Sequence, residues 1–184
     1  EDTAGSGDLL QRSFATHSLA LVNVLDAIVA HAPAARLFYA ASSHVFGKAP
    51  THPQDETTPL APICAYGISK AAGVQLCRFY RRQHGLFAAV GILYNHESPR
   101  RGPRFLTRKI VRGAVAIERG ETAPIVLANL DSEVDWGYAP EYTEAMARIL
   151  DLDEADDFVI ASGRRHSVAD FVADPRKAVW TLAV

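Results

Sequence analysis

The chain has 184 residues, 48% of them hydrophobic, and a formal charge of -2 from 19 basic and 21 acidic side chains. That length and apolar content suffice to bury a core and suit one soluble domain, while the near-neutral balance argues against nucleic acid as the main partner. The start, Glu1-Asp2-Thr3-Ala4-Gly5, lacks the basic and apolar regions of a secretory leader, and no uninterrupted apolar run approaches the roughly 18 residues of a membrane span.

In chain order, residues 19–29 carry apolar side chains at helical spacing, and His31-Ala32-Pro33 closes that helix. Arg36-Leu37-Phe38-Tyr39-Ala40-Ala41 is a short apolar run followed by two serines, as in a buried parallel strand. Residues 48–63 hold four prolines and form a loop. Residues 66–84 predict a long helix with Gly85 as its C-cap. Residues 88–94 predict a second strand, and residues 105–119 an amphipathic helix ended by Gly120. Residues 124–127 and 158–161 predict further strands, with a helix over 142–150 between them. Such alternation implies an α/β fold with a largely parallel sheet. The only cysteines, Cys64 and Cys77, are expected as buried thiols of a reducing cytoplasm. The basic stretch from Arg100 to Arg112 is a local anion site or a solvated face.

On the long helix, Tyr66 and Lys70 are four apart and share one face. An ammonium beside a phenol favours phenolate, and a phenol so tuned can exchange the proton that accompanies hydride transfer at a carbinol. The lysine can also hold a ribose hydroxyl of a nicotinamide cofactor. Tyr and Lys at this spacing also occur by chance on surface helices. The preceding strand runs into Ser42-Ser43-His44-Val45-Phe46-Gly47, and ligands of open α/β sheets bind off the carboxyl ends of strands. Hydroxyls there either bond a substrate oxygen or satisfy the backbone of the strand end.

The stretch Gly91-Ile92-Leu93-Tyr94-Asn95-His96-Glu97-Ser98-Pro99-Arg100-Arg101-Gly102, with Phe105-Leu106-Thr107-Arg108-Lys109-Ile110 after it, is far more specific. So are Asn129-Leu130-Asp131, Asp135-Trp136-Gly137-Tyr138-Ala139, Tyr142-Thr143-Glu144-Ala145-Met146, and Phe158-Val159-Ile160-Ala161-Ser162-Gly163 with His166-Ser167-Val168. Together they resemble the GDP-mannose 4,6-dehydratase family of extended short-chain dehydrogenase/reductases, over roughly residues 36–172. The resemblance implies a Rossmann-type parallel sheet flanked by helices with part of a small C-terminal substrate domain. The expected core is 18–94 and 124–160, and the expected substrate domain 95–123 and 161–184. It further implies a cytoplasmic homodimer or homotetramer, away from membranes, that uses NADP (or NAD) on a nucleotide sugar such as GDP-mannose in deoxysugar biosynthesis. In that reaction C4 is oxidised, water leaves across C5 and C6, and hydride returns at C6. Tyr66 is then the C4 base, Lys70 its partner on the nicotinamide ribose, and Ser42 the residue orienting the C4 oxygen. Ser43 joins the substrate side. Asn95, His96 and Arg101 line the cofactor and nucleotide-sugar site, and Lys109 approaches the diphosphate, which needs cationic donors.

Three departures from the family stand out. His44 occupies the place of the Glu that serves as dehydration acid/base, a task an imidazole can also perform near neutral pH. Val134 replaces an Arg that helps hold the diphosphate, and Cys64-Ala65 replaces Ser-Pro before Tyr66. A non-dehydrating C4 oxidoreductase or epimerase, or a catalytically silent paralogue, therefore stands beside the dehydratase reading. No Gly-x-x-Gly-x-x-Gly cofactor turn appears; Gly5-x-Gly7 is a poor match. Asp170-Phe171-Val172 runs at once into Asp174-Pro175-Arg176-Lys177-Ala178, segments the family keeps apart. The sequence is expected to join stretches of a longer protein.

Overall fold

Residues 7–121 and 125–173 are described by the structure, a computed structural model. Gly5, Pro124 and the segment Asp174-Pro175-Arg176-Lys177-Ala178 lie outside the described residues. The chain divides into two units, one of residues up to Leu93 with Glu144–Ile160, the other of Tyr94–Thr143 with residues from Ala161 onward.

In the first unit, β1 (Arg36–Ala40) and β5 (Asp157–Ile160) flank β2 (Phe87–Leu93), all parallel. The central strand is buried from Ala88 to Leu93, which is why its sequence is an unbroken apolar run rather than an alternating one. Helix α3 (Ala65–His84) packs on β1 and β2 and ends, as its sequence predicts, with Gly85 in the left-handed region at φ 64°. Gly73 lets this helix approach the sheet, since a Cβ there would lie 2.1 Å from the Tyr39 hydroxyl oxygen. Asp157, buried at the start of β5, accepts hydrogen bonds from Arg78 Nε at 2.6 Å and Arg81 Nη2 at 2.7 Å. The pairing compensates the desolvation of the carboxylate and ties α3 to the sheet.

The helix expected at 19–29 is longer than its sequence pattern. α1 (Gly7–Phe14), a π-helical turn (Ala15–Leu19) and α2 (Ala20–His31) run on without a break and pack along α3. Although no uninterrupted apolar run has the length of a membrane span, the helix Leu9–His31 is long and apolar enough to cross a membrane by length and composition, and little of it is buried. Gln11, Arg12, Ser13, Thr16, His17 and Ser18 interrupt the apolar run in sequence, but one continuous helix carries them all. Buried-core helices and leader sequences satisfy the same criterion.

The second unit holds β3 (Asn95–Glu97), parallel to β4 (Glu133–Tyr138), and β6 (Arg165–Ser167), antiparallel to β4. α4 (Leu106–Glu118) and α6 (Val168–Ala173) complete its core, in which Ile110, Trp136, Val168 and Phe171 are buried together. Residues 125–143, assigned to the first unit by the sequence reading, belong here, because β4 finds its partners in β3 and β6 and Trp136 joins this cluster. Residues 125–127 form no strand: Ile125 packs against Gly113 of α4 and Leu127 against the core cluster, but the backbone has no ladder partner. None of β3, β4 or β6 was expected. Helix α5 (Ala139–Leu150) begins in this unit and ends in the first.

Candidate active site

The carboxyl end of β1 builds the first part of the site. After Ala40 the chain turns through a 3-10 segment, Ser43–Val45, whose N-cap is Ser42. The buried Ser42 hydroxyl accepts the His44 backbone N–H at 3.4 Å, which leaves its own proton for another acceptor. Ser43 and His44 are half-buried. Across from this turn, α3 starts at Cys64, whose Sγ caps it by accepting the Gly67 N–H at 3.3 Å. Gly67 is required by close approach: a Cβ there would sit 2.6 Å from the His44 carbonyl oxygen.

The helix brings Tyr66 and Lys70 to one face, as their spacing predicts. Lys70 Nζ donates to the Ala40 carbonyl at 2.8 Å and lies 5.7 Å from the centroid of the Tyr66 ring. The lysine is buried, and desolvation holds its pKa below the ordinary value, whereas Tyr66 is 39% exposed. An ammonium has three donors, of which Ala40 takes one. Cys77 is fully buried as expected, its thiol pushed up to about 12 by burial, but Cys64 is only half-buried, because it stands at the helix entry.

Sequence reasoning missed His17 and Tyr39. The imidazole of His17 meets Tyr66 edge-on at 5.3 Å, and that of His44 does so at 5.6 Å. The Tyr39 hydroxyl donates to the His17 carbonyl at 3.3 Å, and its ring lies 5.2 Å from Lys70 Nζ. No motif points to His17; the π-helical turn that carries it is the signal, and it is visible only in three dimensions. Burial, and then the Lys70 ammonium, lower the His17 pKa from 6.5. A basic group depressed in the fold favours the unfolded chain once the latter takes up a proton. The His17 contribution to stability is therefore complete above about pH 6.5 and is lost as pH falls toward the folded value. Chemical denaturation across pH 5–8 is expected to show a steeper acid-side loss for the native chain than for His17→Gln; parallel profiles would refute this assignment.

Asn95, His96, Arg101 and Lys109 belong to the second unit. Asn95 is exposed on β3. His96 Nδ1 donates to the Tyr94 carbonyl at 2.9 Å, so that the ring stacks on Tyr142 at 4.8 Å. Arg101 is held by its own unit: Nε lies 3.3 Å from the buried Glu97 carboxylate, and the guanidinium stacks on Phe105 at 3.6 Å. Lys109 Nζ donates to the Val126 carbonyl. Val134, at the position of the family arginine, packs against the apolar cluster around Trp136. Next to it the buried Asp135 accepts the backbone N–H groups of Ser162 and Gly163 at 3.0 and 2.8 Å. Among the described residues no His/Cys/Asp/Glu group is arranged to hold a metal ion.

Comparison with known proteins agrees with this architecture. Among solved structures, RMD from Pseudomonas aeruginosa complexed with NADPH aligns with a TM-score of 0.81 at 21% identity, covering 91% of this chain and 60% of that one. A dTDP-glucose 4,6-dehydratase from Bacillus anthracis in complex with NAD aligns with a TM-score of 0.80 at 21% identity, covering 89% of this chain and 52% of that one. These likenesses show the fold, a Rossmann-like parallel sheet flanked by helices as in the extended short-chain dehydrogenase/reductases. In sequence, the chain is 41% identical over 169 residues to the GDP-mannose 4,6 dehydratase of Cricetulus griseus, covering 91% of itself and 45% of that protein. It is 46% identical over 137 residues to the human GDP-mannose 4,6 dehydratase, covering 74% of itself and 37% of its relative. The chain thus spans less than half the length of these curated relatives. The family model described as GDP-mannose 4,6 dehydratase matches residues 11–182, and the chain belongs to that family.

Proposed function

We propose that this chain is part of a nucleotide-sugar 4,6-dehydratase acting on GDP-mannose with NADP. The observation that carries the reading is the Lys70 ammonium fixed on the Ala40 carbonyl beside an accessible Tyr66 phenol. These residues fit the nicotinamide end of such a cofactor, Lys70 offering its remaining N–H donors to a ribose hydroxyl. The cofactor supplies a hydride acceptor that later returns the hydride.

Tyr66 takes the C4 hydroxyl proton as its phenolate, the form that the nearby positive charge of Lys70 favours, and becomes the neutral phenol. Ser42 donates to the C4 oxygen. Once C4 is a ketone, the C5 proton is acidified; His44 removes it and protonates the departing C6 hydroxyl, which leaves as water. The second-unit residues Asn95, His96, Arg101 and Lys109 are assigned to cofactor and nucleotide-sugar binding. The structure gives Arg101 and Lys109 internal partners, which a ligand oxygen would share or displace.

Incubation of the purified full-length protein with GDP-mannose and NADP, followed by product mass, tests the assignment. A sugar nucleotide lighter by one water is expected. Unchanged mass with inversion or isotope exchange at C4 would instead establish a non-dehydrating C4 enzyme, a reading favoured by His44 at the acid/base position. Full cofactor occupancy with no change in the sugar would reject both.

A second copy of the chain is the proposed partner of the α1–α3 helical face. These helices expose Leu19 (61%), Ile68 (41%) and Phe79 (47%), apolar side chains that a second copy would cover. Sedimentation velocity is expected to give a dimer or tetramer, with Phe79→Glu shifted toward monomer. A monomeric native protein that sediments with lipid vesicles would assign this face to a membrane instead.

A further inference from the structure

The proposed chemistry makes no use of Cys64, yet its sulfur touches the side chain on which dehydration depends. Cys64 Sγ lies 3.7 Å from His44 Nδ1 while accepting the Gly67 N–H at 3.3 Å. The same joint brings the His44 carbonyl against Gly67, where a Cβ would be 2.6 Å away. It also sets the His44 ring edge-on to Tyr66 at 5.6 Å. One sulfur atom therefore binds both the first turn of α3 and the imidazole presented by the 3-10 turn opposite. From this geometry we infer that Cys64 is a positioning residue that holds the His44 ring by Nδ1 and so fixes which nitrogen exchanges protons.

The physical need is specific to histidine. Its terminal torsion is broad and roughly two-fold, so an imidazole without a partner on one nitrogen presents either edge. The partner of one ring nitrogen decides which atom is left for chemistry. A carboxylate at position 44 has two equivalent oxygens and no such ambiguity; an imidazole has two inequivalent nitrogens. His44 and Cys64 are thus in contact, and the residue at 64 supplies the Nδ1 partner that the imidazole requires. The helix-capping role alone would be met by serine, whose oxygen accepts the same N–H.

This inference rests on His44 being the acid/base, so the test reads the imidazole independently of turnover. The full chain is labelled with 15N-histidine, and the His44 signals are assigned by their loss in His44→Gln. Spectra are compared at a pH where the ring signals no longer move. In Cys64→Ala, the Nδ1 signal is expected to move by several ppm toward a tautomer mixture. Cys64→Ser keeps a capping acceptor and guards against a folding failure; its Nδ1 signal is also expected to move, and Nε2 less, because oxygen replaces sulfur as the Nδ1 neighbour. In turnover, Cys64→Ala is expected to lower kcat by about ten- to hundredfold, with KM within about twofold, and Cys64→Ser to regain most of it. Superimposable Nδ1 signals in the native chain and both variants would overturn the inference whatever the activity. A moved Nδ1 signal without dehydration in any variant would uphold it and reject only the dehydratase reading.

Discussion

Tyr66→Phe is expected to lower kcat for the first oxidation by about 10²- to 10⁴-fold with the fold intact, since the change removes only the hydroxyl that exchanges the C4 proton. The phenyl ring keeps the edge-on contacts with His17 at 5.3 Å and His44 at 5.6 Å. Lys70 remains anchored on the Ala40 carbonyl, so its hold on a cofactor ribose is expected to survive. Because Tyr66 is 39% exposed, the denaturation midpoint is expected to move by no more than about 0.5 kcal/mol in free energy. The measurement is the reduced-nicotinamide signal on mixing with GDP-mannose, together with product mass. An undiminished rate in the variant would remove Tyr66 from the chemistry and leave the Tyr-Lys pair as a structural feature of α3.

The second large effect belongs to His44. His44→Gln keeps a polar side chain of similar size but no ring nitrogen to exchange a proton, and water loss is expected to fall about 10²- to 10³-fold. C4 oxidation, carried by Tyr66 and Lys70, is expected to persist, so the reduced cofactor should accumulate when sugar is added. The two variants therefore separate the two halves of the reaction: one blocks entry, the other blocks exit. Dehydration at the native rate in His44→Gln would mean that another group moves the C5 proton. His17, which also meets the Tyr66 ring edge-on, is then the next residue to replace.

What the sequence determined by itself was the local and the motif-bound. The apolar runs of β1 and β2 and the 20-residue helix α3 with its Gly85 cap follow from periodicity and end signals that act within a few residues. The Tyr66–Lys70 face is a consequence of helical pitch alone. The family was legible because long stretches around Asn95 and Asp135 are nearly those of its members, whatever they do in space. Tertiary structure decided everything that depends on a distant partner. Asn95-His96-Glu97 has no strand-like pattern and is a strand only because β4 lies beside it, whereas the apolar residues 125–127 lack a ladder partner and remain irregular. A π-helical turn, Ala15–Leu19, joins α1 and α2 into one helix, and the His17 it carries meets Tyr66. Val134 packs against the apolar cluster around Trp136, and Cys64 stands against His44. In each case the deciding term is a contact between residues far apart in the chain, and such contacts leave no periodicity in the sequence from which to read them.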